Sequence, residues 1–338
     1  MRVGVVGASG YAGAELLRLM SSHPELDVVL ATGESSSGRR IGDMVPALAA
    51  VYPDMVFAPT SSVLVEQLDV VFLALPHGES QRYVPALLQS GVQVVDLGAD
   101  YRLKDPQSYL HWYGQAHSSP ELLGKSVYGL VERHRRELPG AQLIAAPGCY
   151  PTAASLALGP LLDHALVEPS RIVVNALSGV SGAGRATSDR LHFSRLASNA
   201  EAYGISFHRH TPEIEQEVSA QLLFTPHLVP VARGMLVSAY ARSLDPNLNT
   251  EVALEVLRTT YASDPFVVVV EEPPTMKDPV GSNLCFVSVR VDQRTGWVIA
   301  MSSLDNLIKG AAGQAIQAWN VASGRDEVLG LPLSGVTP

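Results

Sequence analysis

Two of the 338 residues are cysteines, and their surroundings differ in a way that decides what each thiol can do. Cys149 stands in Pro147-Gly148-Cys149-Tyr150-Pro151-Thr152, after a strand-like run, Gln142 to Ala145, and before an alanine- and leucine-rich run, Ala153 to Leu162. The prolines and glycine make a sharp strand-to-helix entry, with Pro151 or Thr152 in the first helical turn. A thiol beside a helix N-terminus feels its positive end, which lowers the thiol pKa and supplies the nucleophilic thiolate. Cys285, inside the strand-like CFVSVRV, reads instead as a small buried apolar residue. Two cysteines this far apart suit neither a disulfide framework nor a metal cluster, so no metal is expected and a reducing cytoplasm fits.

The second chemical feature lies at the start of the chain. Gly7-Ala8-Ser9-Gly10-Tyr11-Ala12-Gly13 follows a first apolar strand and opens a helix. Unpaired backbone N–H groups and the helix dipole would there meet a pyrophosphate, although the spacing is GxxGxxG and not the commoner GxGxxG. After the second strand comes Gly33-Glu34-Ser35-Ser36-Ser37-Gly38-Arg39-Arg40. Small polar and basic residues accommodate a ribose 2′-phosphate whereas an acid holds a 2′-hydroxyl. Ser35, Ser36 and Arg39 therefore favour NADP(H), with Glu34 the counter-evidence.

A thiolate next to a nicotinamide allows one coherent reaction. The thiolate attacks an activated acyl group, the leaving group departs, and hydride reaches the thioester carbonyl to give an aldehyde. The tetrahedral intermediate calls for an acid–base group, and histidine is the natural one. His208-Arg209-His210 precedes Thr211-Pro212-Glu213-Ile214-Glu215, where a threonine N-cap and early acids mark a helix start. His210, nearest the cap, is the preferred acid–base residue and His208 the second choice. A further glycine loop, Ser178-Gly179-Val180-Ser181-Gly182-Ala183-Gly184-Arg185, could offer N–H groups to an oxyanion, carboxylate or phosphate.

These groups need a scaffold. The first half alternates apolar strands (Val3 to Val6, Leu26 to Thr32, Val70 to Leu75, Val92 to Leu97) with helices (Tyr11 to Ser22 and about Ser80 to Ser90), the pattern of a doubly wound parallel sheet. From Pro151 onward the strands Ile172 to Leu177, Leu236 to Arg242, Phe266 to Glu271, Phe286 to Val291 and Trp297 to Ser302 predominate. Helices near Pro212 to Leu223 and Glu251 to Ala262 interrupt them, and a last helix spans Asn306 to Val321. The expected fold class is α/β. It combines a Rossmann-like domain at 1–148, an α+β catalytic and dimerisation domain with a mainly antiparallel sheet at 149–304, and a C-terminal helix at 305–338 returning to the first domain. Apolar residues at 46% and charged residues at 17% suit folded domains, and a net charge of -9 argues against general nucleic-acid binding. MRVGVVGASG runs into a strand with no signal-peptide pattern, and no stretch is long enough to span a membrane.

Taken in order, the motifs resemble those of the N-acetyl-γ-glutamyl-phosphate reductase family of arginine biosynthesis, relatives of aspartate-semialdehyde dehydrogenase. The resemblance covers almost the whole chain. It rests on Gly7 to Gly13, LPHG at Leu75 to Gly78, DLGADYR at Asp96 to Arg102, YGL at Tyr128 to Leu130, PGCYPT and SGVSGAGR. HRHTPEI, Phe224 to Met235, GSN at Gly281 to Asn283 and Asp305 to Gln317 complete it. It implies NADPH as hydride donor, N-acetyl-γ-glutamyl phosphate as substrate, Cys149 as acyl carrier and an acid–base histidine within HRH. Pro76, Ser178, Gly179, Gly182 and Asn306 would then contact the cofactor. Arg102, Arg185 and Arg233, with Glu213, are the expected substrate contacts, the guanidinium groups gripping phosphate or carboxylate bidentately. It implies a homo-oligomer, dimer or tetramer. The rivals are the same chemistry on aspartyl phosphate or on a carrier-bound acyl phosphate, and a non-catalytic NADP redox sensor.

Overall fold

The computed structural model describes residues 1–336, and the chain divides into two compact units. One comprises Met1–Pro147 with Ala311–Leu331, the other Gly148–Gly310 with the tail that starts at Pro332.

The first unit is built on six parallel strands: β1 Arg2–Val6, β2 Asp27–Ala31, β3 Val70–Leu73, β4 Gln93–Asp96, β5 Val127–Tyr128 and β6 Leu143–Ala145. Their order, β2-β1-β3-β4-β6-β5, reverses direction between β1 and β3, as a doubly wound sheet does at its ligand-binding edge. Val3, Val5 and Val6 and all of Val70 to Leu73 are fully buried, because a parallel sheet is covered on both faces and needs apolar residues at successive positions. The short β5 was not expected from its loop-rich surroundings. Pro85 accompanies a break in the predicted Ser80 to Ser90 helix into a turn of 3-10 helix, Ser80–Arg82, and an α-helix, Val84–Gln89.

The C-terminal helix of this unit, Gly313–Ala322, is buried nearly all round. Such a helix needs partners for every polar group. Trp319 Nε1 donates to Gln93 Oε1 at 2.9 Å, Gln317 Nε2 to Glu132 Oε1 at 3.0 Å, and His23 Nε2 pairs with Asn320 Oδ1 at 3.1 Å.

The second unit carries seven strands: β7 Ile172–Gly179, β8 Glu201–Ala202, β9 Leu222–Val229, β10 Met235–Arg242, β11 Val267–Val269, β12 Cys285–Asp292 and β13 Trp297–Leu304. Their order is β11-β12-β13-β10-β7-β9-β8, antiparallel except for the β11·β12 and β7·β9 pairs. Along β10, Met235, Val237, Ala239 and Ala241 are buried while Leu236, Ser238, Tyr240 and Arg242 are half-buried, the alternation of a sheet covered fully on one face. On the opposite face Val173, Tyr240, Trp297 and Ile299 line an open pocket of about 420 Å³.

The covering element on the buried face is the Cys149–Asp163 helix, whose residues from Tyr150 to Leu161 are all buried. Ser302 Oγ and Tyr261 Oη donate to its Ala153 and Leu156 carbonyls, each at 2.6 Å, so its register on the sheet is pinned by hydrogen bonds as well as by packing.

Two expectations are corrected in this unit. The predicted Pro212 to Leu223 helix is Thr211–Val218, ended by Ser219 in a left-handed conformation, φ 52°. Leu222 already begins β9, whose Pro226 obscured it. That proline is tolerated because β9 has only the two-residue β8 on its outer side. The last helix does not begin at Asn306 either; a π-helical turn, Ile308–Ala312, comes first.

Candidate active site

In the first unit the glycine loop is shaped by its own packing. Gly7 has φ 78°, and a side chain there would meet the Ala74 carbonyl at 2.3 Å. A side chain on Gly13 would meet the Gly7 carbonyl at 2.4 Å, so this glycine lets the helix seat on the turn. Gly10 caps the Tyr11–Met20 helix, which has no acid in its first turn to oppose an anion. These features fit a dinucleotide pyrophosphate.

Glu34 resolves against its own threat to NADP(H). Its Oε2 accepts the Thr60 N–H at 2.9 Å, and this hydrogen bond holds the carboxyl below its usual range. The carboxylate thus caps a neighbouring turn, while Ser35 and Arg39 are exposed and Ser36 is buried. The LPHG loop, with Pro76 exposed, is held by Asp100. Its carboxylate accepts from Gly78 N at 2.6 Å, Ser80 N at 3.1 Å and Tyr109 Oη at 2.8 Å.

In the second unit Cys149 is the first residue of its helix, with Pro151 and Thr152 in the first turn and Gly148 as the cap at φ -70° and ψ 157°. It is half-buried, while Cys285 is fully buried in β12. No acid occupies the first turn, so the first-turn amides and the helix dipole favour the thiolate. Opposing them, Glu213 Oε1 accepts the Gly148 N–H at 2.8 Å from a fully buried position. The π-turn reaches the thiol from another side. A side chain on Gly310 would lie 2.7 Å from the Cys149 Cβ, so only glycine lets the turn close there.

The two histidines are not equivalent. His208 Nδ1 accepts the backbone N–H of His210 at 3.1 Å, which places any proton of the neutral ring on Nε2. Its ring is boxed by Tyr150, Tyr203, Phe224 and His210 at centroid separations of 5.0–5.7 Å. Burial, and next the neighbouring His210, push its pKa down to about 3. A ring so held is neutral at physiological pH and oriented by its backbone bond. Tyr150 and Tyr203 share a hydroxyl contact at 3.0 Å, and burial raises both phenols, Tyr203 to about 12.

Comparison with known proteins decides the family. Residues 2–141 match the semialdehyde dehydrogenase NAD-binding domain and residues 149–306 the semialdehyde dehydrogenase dimerisation domain. An N-acetyl-γ-glutamyl-phosphate reductase of Symbiobacterium thermophilum is 45% identical over 99% of this chain and 98% of its own. The chain belongs to the N-acetyl-γ-glutamyl-phosphate reductase family. Another member of this reductase family, from Cellvibrio japonicus, is 41% identical over the whole of both chains. Among solved structures, aspartate semialdehyde dehydrogenase II of Vibrio cholerae, complexed with ASA, superimposes with a TM-score of 0.71 at 17% identity. It covers 95% of this chain and 97% of its own, a likeness of fold.

Against that family background, several residues expected at the site also serve the fold. Arg102 is buried, its Nε donating to the Ala146 carbonyl and its Nη2 to Leu97, both at 2.8 Å, so it braces the first unit's interior. Glu213 is buried and anchors the Cys149 turn through the Gly148 N–H. His210, and not Thr211, occupies the helix N-cap position, without a side-chain capping bond. Ser178 is buried and Gly179 packs against the Val231–Arg233 turn, where a side chain would meet the Arg233 N at 2.9 Å. Gly182 and Arg185 are exposed. Asn306 ties two loops together, accepting from Gly234 N and donating to Ser181 Oγ, each at 2.9 Å. Arg233 is about a quarter exposed and pairs with Asp305 at 3.2 Å. Asp305 and Gly310 were missed as site residues; their signal was an aspartate just before an otherwise helical pattern and a glycine within it.

Proposed function

We propose that this protein reduces N-acetyl-γ-glutamyl phosphate with NADPH, releasing N-acetylglutamate 5-semialdehyde and phosphate through a thioester on Cys149. The carrying observation is the half-buried thiol at the first position of a helix that is otherwise buried from Tyr150 to Leu161. A rigid helix start delivers both a fixed sulfur position and a positive potential.

Cys149 gives up its proton to His210 and attacks the acyl carbon, forming the C–S bond as the C–O bond to phosphate breaks. His210 returns that proton to the departing phosphate, so the ring ends neutral. When bound, the dinucleotide supplies the hydride that reduces the thioester carbonyl. His210 steadies the oxyanion that then develops, and collapse of the thiohemiacetal releases aldehyde and thiolate. Arg233 and Arg185 bind the substrate's anionic groups. Gly7 to Gly13 hold the pyrophosphate, and Ser35, Ser36 and Arg39 the 2′-phosphate. The exposed Pro76 loop, held by Asp100, borders the nicotinamide, and Ser178, Gly179, Gly182 and Asn306 shape the acyl end.

The match to a dimerisation domain and the open apolar sheet face support a homo-oligomer. No helix among the described residues is long and apolar enough to cross a membrane, and a cytoplasmic location completes the proposal. The reverse assay tests it: phosphate-dependent reduction of NADP⁺ by N-acetylglutamate 5-semialdehyde, faster than with NAD⁺ or with aspartate semialdehyde. Turnover with aspartate semialdehyde alone would overturn the substrate assignment.

A further inference from the structure

Asp305, at the end of β13, is fully buried and accepts four hydrogen bonds. Its Oδ2 takes the Gly281 N–H at 2.9 Å and Arg233 Nη1 at 3.2 Å; its Oδ1 takes the N–H groups of Leu307 at 2.9 Å and Ile308 at 3.3 Å. Its own carbonyl accepts the Gly310 N–H at 2.9 Å. One residue therefore joins the GSN loop, the Arg233 turn and the π-turn that touches the Cys149 Cβ.

A carboxylate with no exposure is tolerated only when hydrogen-bonded and paired with a cation. Arg233 is that cation. The pairing is reciprocal, because a guanidinium held at one nitrogen by a fixed carboxylate loses the rotamer freedom it would otherwise have to give up on binding an anion. At 26% exposure the Arg233 side chain keeps part of its surface for such an anion. The backbone bonds act on the other partner. By capping Leu307 and Ile308 and holding Gly310, Asp305 sets where the turn meets the nucleophile.

We propose that Asp305 is a positioning residue of the reaction: it presents Arg233 to the substrate's anionic group and seats the Gly310 turn against Cys149. The proposal rests on Arg233 as a substrate contact and Cys149 as the nucleophile.

The test is a double-mutant cycle on the full-length enzyme with Asp305→Asn and Arg233→Ala, followed by the KM for the acyl phosphate, the Kd for NADPH and the rate of Cys149 alkylation by iodoacetamide. An amide keeps the size of the side chain but not the charge that holds Arg233. Asp305→Asn should raise KM about tenfold, as expected for one charge-assisted contact, and leave the NADPH Kd within about twofold. Combined with Arg233→Ala it should raise KM no further than Arg233→Ala alone. The alkylation rate should change in Asp305→Asn but not in Arg233→Ala. If Arg233→Ala leaves KM unchanged, Arg233 is not a substrate contact. If Arg233→Ala raises KM and Asp305→Asn does not, or the two effects add, the positioning role is wrong. Should Asp305→Asn fail to fold, millimolar guanidinium added to Arg233→Ala decides. Restored KM means Asp305 recruits and places the cation, and no restoration overturns the proposal.

Discussion

The backbone amide of His210 is held by the imidazole of His208, with Nδ1 accepting at 3.1 Å, so one histidine of the HRH segment fixes the position of the other. The surroundings of His208 predict a division of labour between the two. His208 is pushed down to about 3 and boxed by aromatic rings. His210→Asn should then lower kcat by roughly 10²–10⁴-fold with little change in KM, the loss expected of a general acid–base group. His208→Asn should have a smaller effect on kcat and leave the shape of the pH–rate profile unchanged. Equal, small losses in the two variants would remove both from the mechanism. Because its folded-state pKa is depressed, His208 contributes stability above about pH 6.5, and that contribution is lost as pH falls towards 3.

Glu213 holds the Cys149 turn through the Gly148 N–H, and two variants separate that role from a substrate contact. Glu213→Gln retains an oxygen for the Gly148 N–H and should leave KM for the acyl phosphate within about twofold, while alkylation of Cys149 speeds up because a negative charge beside the helix start is gone. Glu213→Ala leaves a buried amide unpaired and should cost about 1–3 kcal/mol in denaturant unfolding. A tenfold rise in KM for Glu213→Gln would restore it to the substrate site.

Asp96 makes stability depend on pH. It is fully buried at the end of β4. Desolvation, and secondly the nearby Asp100, raise its pKa to about 7, against hydrogen bonds from Ser80 Oγ and Gly98 N. The folded chain therefore keeps a proton that the unfolded chain releases near the ordinary aspartate value of 3.8. Its contribution to stability is intact below that pH, declines as pH rises to about 7, and is then constant. Asp96→Asn should raise Tm at pH 8, by roughly 2–4 °C for each kcal/mol recovered, and the gap should close near pH 4. A gap that does not vary with pH would mean Asp96 is not the titrating group.

Cofactor choice should respond to Arg39. With Glu34 committed to the Thr60 amide, Arg39→Ala should raise KM for NADPH about tenfold or more and leave KM for NADH nearly unchanged, measured in the same assay. Parallel losses with both cofactors would exclude a 2′-phosphate contact.

Much of the architecture was legible before any coordinates because it is written in local patterns. The apolar runs Val3 to Val6 and Val70 to Leu73 mark a sheet buried on both faces, and the glycines at 7 and 13 stand where a side chain would strike backbone. Cys149 was legible as the candidate nucleophile because the strand, the proline–glycine entry and the apolar helix lie within some twenty consecutive residues. The internal bonds of Arg102 were not legible, because a guanidinium in an acid-rich motif looks the same in sequence whether or not it also holds the Ala146 and Leu97 carbonyls. β9 was hidden by Pro226, whose cost in a strand disappears only once its outer neighbour is known to be a two-residue strand.

From the sequence by itself came the class of chemistry, a thiolate carrying an acyl group to a nicotinamide, since nucleophile, helix start and phosphate loop are each encoded by neighbours along the chain. Only the tertiary structure showed the different surroundings of His208, tied Glu213 to the Cys149 turn, and brought Gly310, bonded to Asp305, against Cys149. Glu213 meets Gly148 across 65 residues, and the π-turn meets Cys149 across a still longer span. Contacts of that kind depend on how far burial moves a pKa and on which loops a sheet brings together. Neither quantity exists until the chain has folded.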